Sequence, residues 1–420
     1  MYKKYTLDNG LRIVTEHIPY VKSISIGVWI EAGSKHENLI NNGASHFIEH
    51  MLFKGTATRS AKDLADVVDG VGGQINAFTA KECTCYYLKV LDSHYKLAID
   101  ILADMIFNSK FDEKDIDRER SVILEELSMY EDSPEDVAHD LLSQSILKDH
   151  SLGYPILGTR ETLLATTRES LLAHMEKYYI PKNAVISVAG NFEPESLLKE
   201  IKEKFGSWKS TETNTYEGKE PNYHFEIVEK VKDIEQTHLC IGFKGIEMGN
   251  RELYPLLVVN NILGGSMSSR LFQQIREERG LAYSVYSYPS IYKDGGLLTI
   301  YAGMNPSQLE EVCLLIKQEV DTLVGKGITH AELDKAKEQL KGSYILGLES
   351  TSSRMTSIGK SELLLAKTYS PKEIIQMIDE IKMDEINGII KKIFATDSMT
   401  VTVVSKQEQK NQVKKALLRK

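Results

Sequence analysis

The chain has 420 residues, 42% of them apolar, and a formal net charge of −9. That length exceeds what one hydrophobic core usually supports, so two domains are expected. The acidic balance speaks against nucleic acid as a partner, because a phosphate-binding surface shows itself as clustered Lys and Arg. No run of 18 apolar residues occurs and "MYKKYTLDNG" has no apolar h-region, so a cytoplasmic protein that does not engage a membrane is expected. Of the four cysteines, Cys83 and Cys85 sit two apart in "KECTCYYLKV". They form neither a C-x-x-C pair nor a disulfide framework and are expected to pack as small hydrophobes.

In chain order, "LRIVTEHI" and "SISIGVWIEAG" read as strands, and "GASHFIEHMLFKGT" as a short helix apolar on every side. One long strand is expected over "INAFTAKECTCYYLKV", then a run of helices from about Tyr95 to Tyr179, the strand "NAVISVAGNF" and a helix ending near Trp208. The polar stretch around Gly218 and Pro221 predicts a linker at 211–222. The order then repeats: the strand "THLCIGFKG", an apolar helix "YPLLVVNNILGG", the strands "GLAYSVYSY" and "GGLLTIYAGM", long helices, and "SMTVTVVSK". The closing "VKKALLRK" is expected to be a solvated tail.

The repeat is visible residue by residue where "FDEKDIDRERSVILEEL" aligns without gaps on "ITHAELDKAKEQLKGSY". Phe111 falls on Ile328, Ile116 on Leu333 and Ile123 on Leu340. The fold class expected is therefore α+β, with two homologous domains in tandem (1–210 and 223–420), each a largely antiparallel sheet packed by helices. At Glu119 and Glu126 the second copy has Ala336 and Ser343, so the scaffold tolerates the loss of both acids. Whatever they do belongs to the first half.

His46, Glu49 and His50 share one turn of the apolar helix, where unpartnered ionisable groups are costly. Residues at i and i+4 stack on one helix face, so His46 and His50 can reach one point, an arrangement that suits zinc. Glu49 lies beside that point, placed to take a proton from water that the metal activates. The pattern is H-x-x-E-H. Two ligands underfill zinc, and in "DIDRERSVILEELSMY" Glu119 and Glu126 intrude on the stripe formed by Ile116, Ile123, Leu127 and Tyr130. A carboxylate there needs a cation, and a metal serves.

"GASHFIEHMLFKGT", "GGQINAFTAKECTCYY" and "ERSVILEEL", with "GYPILGT" and "SSRLFQQIREERGLAYSV", resemble the pitrilysin-type inverzincin peptidases over nearly the whole chain. The closest likeness is to the short bacterial and mitochondrial processing-peptidase branch. Glu126 stands 76 positions after His50, where that family places its distal zinc-binding Glu. The resemblance implies one zinc per chain held by His46, His50 and Glu126, with Glu49 as general base and Glu119 as a supporting acid. It implies that Asn76, Ala77 and Phe78 lend a strand edge to the substrate backbone, and that Arg276 and Tyr283 face the substrate carbonyl. It further implies a zinc endopeptidase acting on unfolded peptides in a closed clamshell chamber, formed by a homodimer whose protomers complete each other's sites. The alternatives it leaves are the catalytic-type subunit of a heteromeric processing peptidase and a non-catalytic peptide-binding scaffold.

Overall fold

The protein is described from a computed structural model, which covers residues 2–209, 218–395 and 399–417. Among the described residues, a first sheet contains β1 (Tyr2–Thr6), β2 (Arg12–His17), β3 (Ser23–Ile30), β4 (Gln74–Thr79), β5 (Thr84–Leu91) and β6 (Ala184–Gly190). Its order is β1-β2-β6-β3-β5-β4, and every neighbouring pair is antiparallel except β2 with β6. A second sheet contains β7 (Ile227–Val231), β8 (Thr237–Lys244), β9 (Ala282–Ile291), β10 (Gly296–Met304) and β11 (Met399–Ser405), in the order β7-β11-β8-β10-β9. It too has one parallel pair, β7 with β11. Two largely antiparallel sheets, each packed by helices, make the α+β class expected from the repeat.

The first sheet is covered on both faces, which is why β3 is buried almost from end to end. One face carries Ile24, Ile26, Val28 and Ile30 with Tyr86, Leu88 and Val90, and packs against helix α1 (Ala44–Leu52) and the helix Tyr95–Asn108. The other face carries Ser25, Trp29 and Ser187 and receives the helix Thr351–Leu365. That helix lies close because position 359 is glycine: a Cβ there would come within 2.2 Å of Trp29 Nε1. Trp29 Nε1 donates to Ser187 Oγ at 2.8 Å, and Arg354 reaches Glu16 at 2.6 Å. In the second sheet, Leu298, Ile300 and Ala302 face one core, while Cys240, Tyr301 and Val404 face Val137, Ala138 and Leu142 of the helix Pro134–Ile146.

The compact units therefore do not follow one cut at 211–222. One comprises Met1–Leu127, Tyr154–Glu217 and Ile345–Ser370; the other comprises Ser128–Gly153, Gly218–Tyr344 and Pro371–Lys420. Apolar periodicity shows that a helix has a face to bury but not which sheet will receive it. Of the expected linker, residues 211–217 lie outside the described residues and 218–222 have no regular structure.

Three further differences are local. The single strand expected over 75–90 is the hairpin β4–β5, broken at 80–83 where Ala80 N bonds Cys83 O. β1 and β7 are short edge strands carrying lysines, which hide the alternation that marks a strand. The expected solvated tail is instead the helix Lys410–Leu417, which buries Val413, Ala416 and Leu417; residues 418–420 lie outside the described residues. All four cysteines are buried and unpaired by disulfides, and burial pushes the Cys83 thiol up to about 12. No helix among the described residues is long and apolar enough to cross a membrane.

Candidate metal centre

Helix α1 begins at Gly43, which has a left-handed backbone (φ 95°) and no room for a side chain, since a Cβ would meet Leu157 O at 2.7 Å. Its orphan N–H groups are met from outside the helix. Glu37 Oε1 accepts Ser45 N at 2.7 Å, while Oε2 accepts Gly43 N at 2.7 Å and Asn42 Nδ2 at 2.9 Å. Burial pushes the Glu37 carboxyl up, against the pull of these donors. Ser45 Oγ also meets His174 Nε2 at 3.2 Å. The rest of α1 is locked by Phe47, Ile48, Met51 and Leu52, all fully buried.

On that rigid turn the His46 and His50 rings meet edge-on with centroids 4.7 Å apart. Glu126, from the helix Glu113–Asp132, brings Oε2 to 3.7 Å from His46 Nε2 and 3.6 Å from His50 Nε2. One ligand atom from each of the three lies within 4.8 Å of the others. His50 Nδ1 is 3.1 Å from Glu119 Oε2, and Lys54 Nζ holds the other oxygen of that carboxylate at 2.8 Å. A carboxylate only accepts, so Nδ1 carries a proton toward Glu119, and Nε2 is the ring nitrogen that faces Glu126. Glu119 is 2% exposed, and Lys54 and His50 compensate its burial.

The electrostatics follow from this packing. Burial, and then the neighbouring His50, push the His46 imidazole down to about 4, so it is neutral near pH 7. Its Nδ1 is buried without a hydrogen-bond partner among the described residues. Burial lowers His50, but Glu126 and Glu119 outweigh it and leave that imidazole above its ordinary value. His50 in turn holds Glu126 below the usual carboxylate range. Glu49, beside these groups, is raised by burial although Thr79 and His50 oppose the shift. Two imidazoles and one ionised carboxylate around a common point fit a divalent cation of zinc type, and an acid with a raised pKa beside it fits proton transfer.

Residues 12–160 match the family described as insulinase (peptidase family M16), and residues 165–340 match the peptidase M16 inactive domain. A protein of Bacillus subtilis (strain 168) named an uncharacterized zinc protease is 51% identical over 397 residues, covering 94% of this chain and 97% of its own. The chain belongs to peptidase family M16. Another member named an uncharacterized zinc protease, from Streptomyces coelicolor, is 41% identical over 93% of this chain and 87% of its own. A crystal structure of a protease from Helicobacter pylori shares the M16 fold with a TM-score of 0.90 at 22% identity, covering 96% of this chain and 99% of that one.

Within the M16 match at 12–160 lie His46, Glu49, His50, Glu119 and Glu126; Arg276 and Tyr283 lie within the inactive-domain match. Arg276 stands on a π-helical turn, Phe272–Glu277, with its guanidinium carbon 4.8 Å from the Phe272 ring and 5.2 Å from that of Tyr283. Tyr283 is 79% exposed at the start of β9. Asn76, Ala77 and Phe78 are on β4, which stands at the edge of the sheet and, among the described residues, pairs with β5 alone. Ala77 N is taken by Asn76 Oδ1 at 2.8 Å, a local bond standing where a neighbouring strand would supply a carbonyl. Phe78 packs edge-on to Trp29 at 5.6 Å.

Three residues escaped the sequence reading: Glu37, Lys54 and Thr79. Glu37 lies six positions before Gly43, too far for any local capping pattern. Lys54 was hidden in a motif noted for its histidines. Thr79 reads as an ordinary strand residue.

Proposed function

We propose that the protein is a cytoplasmic zinc-dependent endopeptidase that hydrolyses extended, unfolded peptides. The observation that carries this reading is the meeting of His46, His50 and Glu126 within 4.8 Å, with Glu49 beside them. The names of the similar M16 proteins support zinc. A zinc ion held by these three residues supplies a Lewis-acid charge that polarises a peptide carbonyl and acidifies water. Glu49 takes the proton of the attacking water and hands it to the departing amine nitrogen. Glu119 fixes the His50 tautomer, and Lys54 holds Glu119 in place. The free edge of β4 receives the peptide backbone, with Asn76 Oδ1 giving up Ala77 N to a substrate carbonyl. Arg276 and Tyr283 donate to the carbonyl oxygen as it gains charge.

In this reading two copies close as a homodimer around a chamber, and each protomer supplies Arg276 and Tyr283 to the other's site. Mixing Glu49→Gln protein with Arg276→Ala protein then restores activity that neither has alone. No recovery in dimers shown to exchange subunits refutes sharing between protomers. The primary test is cleavage of a quenched peptide library with and without chelator. Glu49→Gln should keep its metal and lose turnover, whereas Glu126→Gln should lose metal. Chelator-resistant cleavage, or full activity of Glu49→Gln, refutes the proposal.

A further inference from the structure

Thr79 is the last residue of β4, and its hydroxyl donates to Glu49 Oε2 at 2.5 Å. Among the described residues this is the one hydrogen bond that the Glu49 side chain makes. The strand end that carries Thr79 is itself pinned. Just beyond it, Ala80 N bonds Cys83 O at 2.8 Å, Lys35 N bonds Lys81 O at 2.8 Å, and Lys81 Nζ reaches Tyr154 O. Lys35 Nζ meets Glu82 Oε1 at 2.6 Å, with both side chains almost wholly buried (1% and 5% exposed). Gly33 admits the hairpin tip, since a Cβ there would lie 2.1 Å from Ala80 O. Thr84 Oγ1, anchored to Ala32 O at 2.9 Å, stands 3.5 Å from Thr79 Oγ1.

A glutamate has three side-chain torsions, and its carboxylate rotation is broad unless something holds it. We infer that Thr79 is a positioning residue: its hydroxyl ties Oε2 of Glu49 to the pinned hairpin and leaves Oε1 as the oxygen that takes up and returns the proton. The inference rests on the proton-transfer role proposed for Glu49. A threonine hydroxyl has one hydrogen, and donating it to Oε2 directs the remaining accepting capacity of the carboxylate to one side. Because Thr79 also closes the strand proposed to receive the peptide, the same rigid element sets the base and the substrate register together. A displacement of about 1 Å in such a constellation costs on the order of 100-fold in rate.

The experiment uses the zinc-loaded protein and compares Thr79→Val, Thr79→Ala and Thr79→Ser for zinc content, kcat and KM on a cleaved peptide. Peptide affinity is measured separately in the Glu49→Gln background. Valine keeps the β-branched shape that suits a strand. Thr79→Val and Thr79→Ala should lower kcat about 10- to 100-fold with KM, zinc content and peptide affinity unchanged, and Thr79→Ser should recover most of the loss. Adding Thr79→Val to Glu49→Gln should leave zinc content and peptide affinity where Glu49→Gln has them. If Glu49→Gln is inactive while Thr79→Val and Thr79→Ala turn over at the wild-type kcat, the role of Glu49 stands and the inference about Thr79 is overturned. A raised KM, lost zinc, or weakened peptide binding in the double variant overturns it as well, by assigning Thr79 to the strand or the ligand helix. Should Thr79→Val fail to fold, Thr79→Ala and Thr79→Ser decide. Full activity of Glu49→Gln removes the base and the inference together.

Discussion

Replacing Glu37 by alanine tests whether the metal helix is held from outside itself. Glu37 is 7% exposed and accepts from two backbone N–H groups at the start of α1 and from the buried amide of Asn42. Alanine strands all three donors away from water, at about 1–3 kcal/mol each. Part of that loss is offset because a buried carboxyl, itself costly enough to have its pKa raised, is removed. The net expected is about 3 kcal/mol, confined to the unit that contains α1. Because α1 carries His46 and His50, loosening it should also weaken zinc binding, by as much as about 100-fold if the whole loss is local. Urea denaturation of the metal-free protein and zinc titration against a competing chelator read the two effects. Glu37→Gln should fall between, since its amide keeps one acceptor but sets N–H against N–H. An alanine variant that denatures within about 0.5 kcal/mol of the wild type, with zinc affinity unchanged, refutes the reasoning.

His174 is buried and pushed down to about 4, mainly by desolvation. Its folded pKa lies below the unfolded value, so the stability tied to the neutral ring is complete above about pH 6.5 and is lost as pH falls toward 4, up to roughly 3 kcal/mol. His174→Phe should flatten the fall in urea midpoint over that window, and a parallel fall in both proteins contradicts it. Gly359→Ala forces a methyl onto the Trp29 indole and Ser187 Oγ and should destabilise by about 1–3 kcal/mol, read by thermal melting. Glu119→Ala frees His50 Nδ1 and leaves Lys54 without its partner; zinc affinity should drop about 10- to 100-fold in a chelator titration.

The histidines were legible because their i, i+4 spacing lies within one helix, and Glu119 and Glu126 because both break an apolar stripe whose period the sequence displays; the resemblance singled out Glu126 as the ligand. The groups that steady them were not. Glu37, Lys54 and Thr79 act on partners through tertiary contacts, and no local pattern distinguishes a strand threonine that grips a carboxylate from one that faces solvent. The same limit explains the fold. β3, β6, β8 and β10 show as long apolar runs because both faces are covered, whereas β1 and β7 sit at edges and wear lysines. The break between β4 and β5 was masked because "TAKECT" has no Gly, Pro, Asn or Asp to mark the turn.

The discontinuous makeup of the units bears on how the protein is made. On a ribosome the first unit cannot be finished when residue 209 emerges, because the helix that covers Trp29 and Ser187 is encoded at Thr351–Leu365. At about 5–20 residues per second, one face of β3 and β6 stays bare for on the order of ten seconds or more. That interval favours chaperone capture of the nascent chain. It also means that two fragments severed near residue 214 should each be insoluble when expressed alone and regain structure only when produced together.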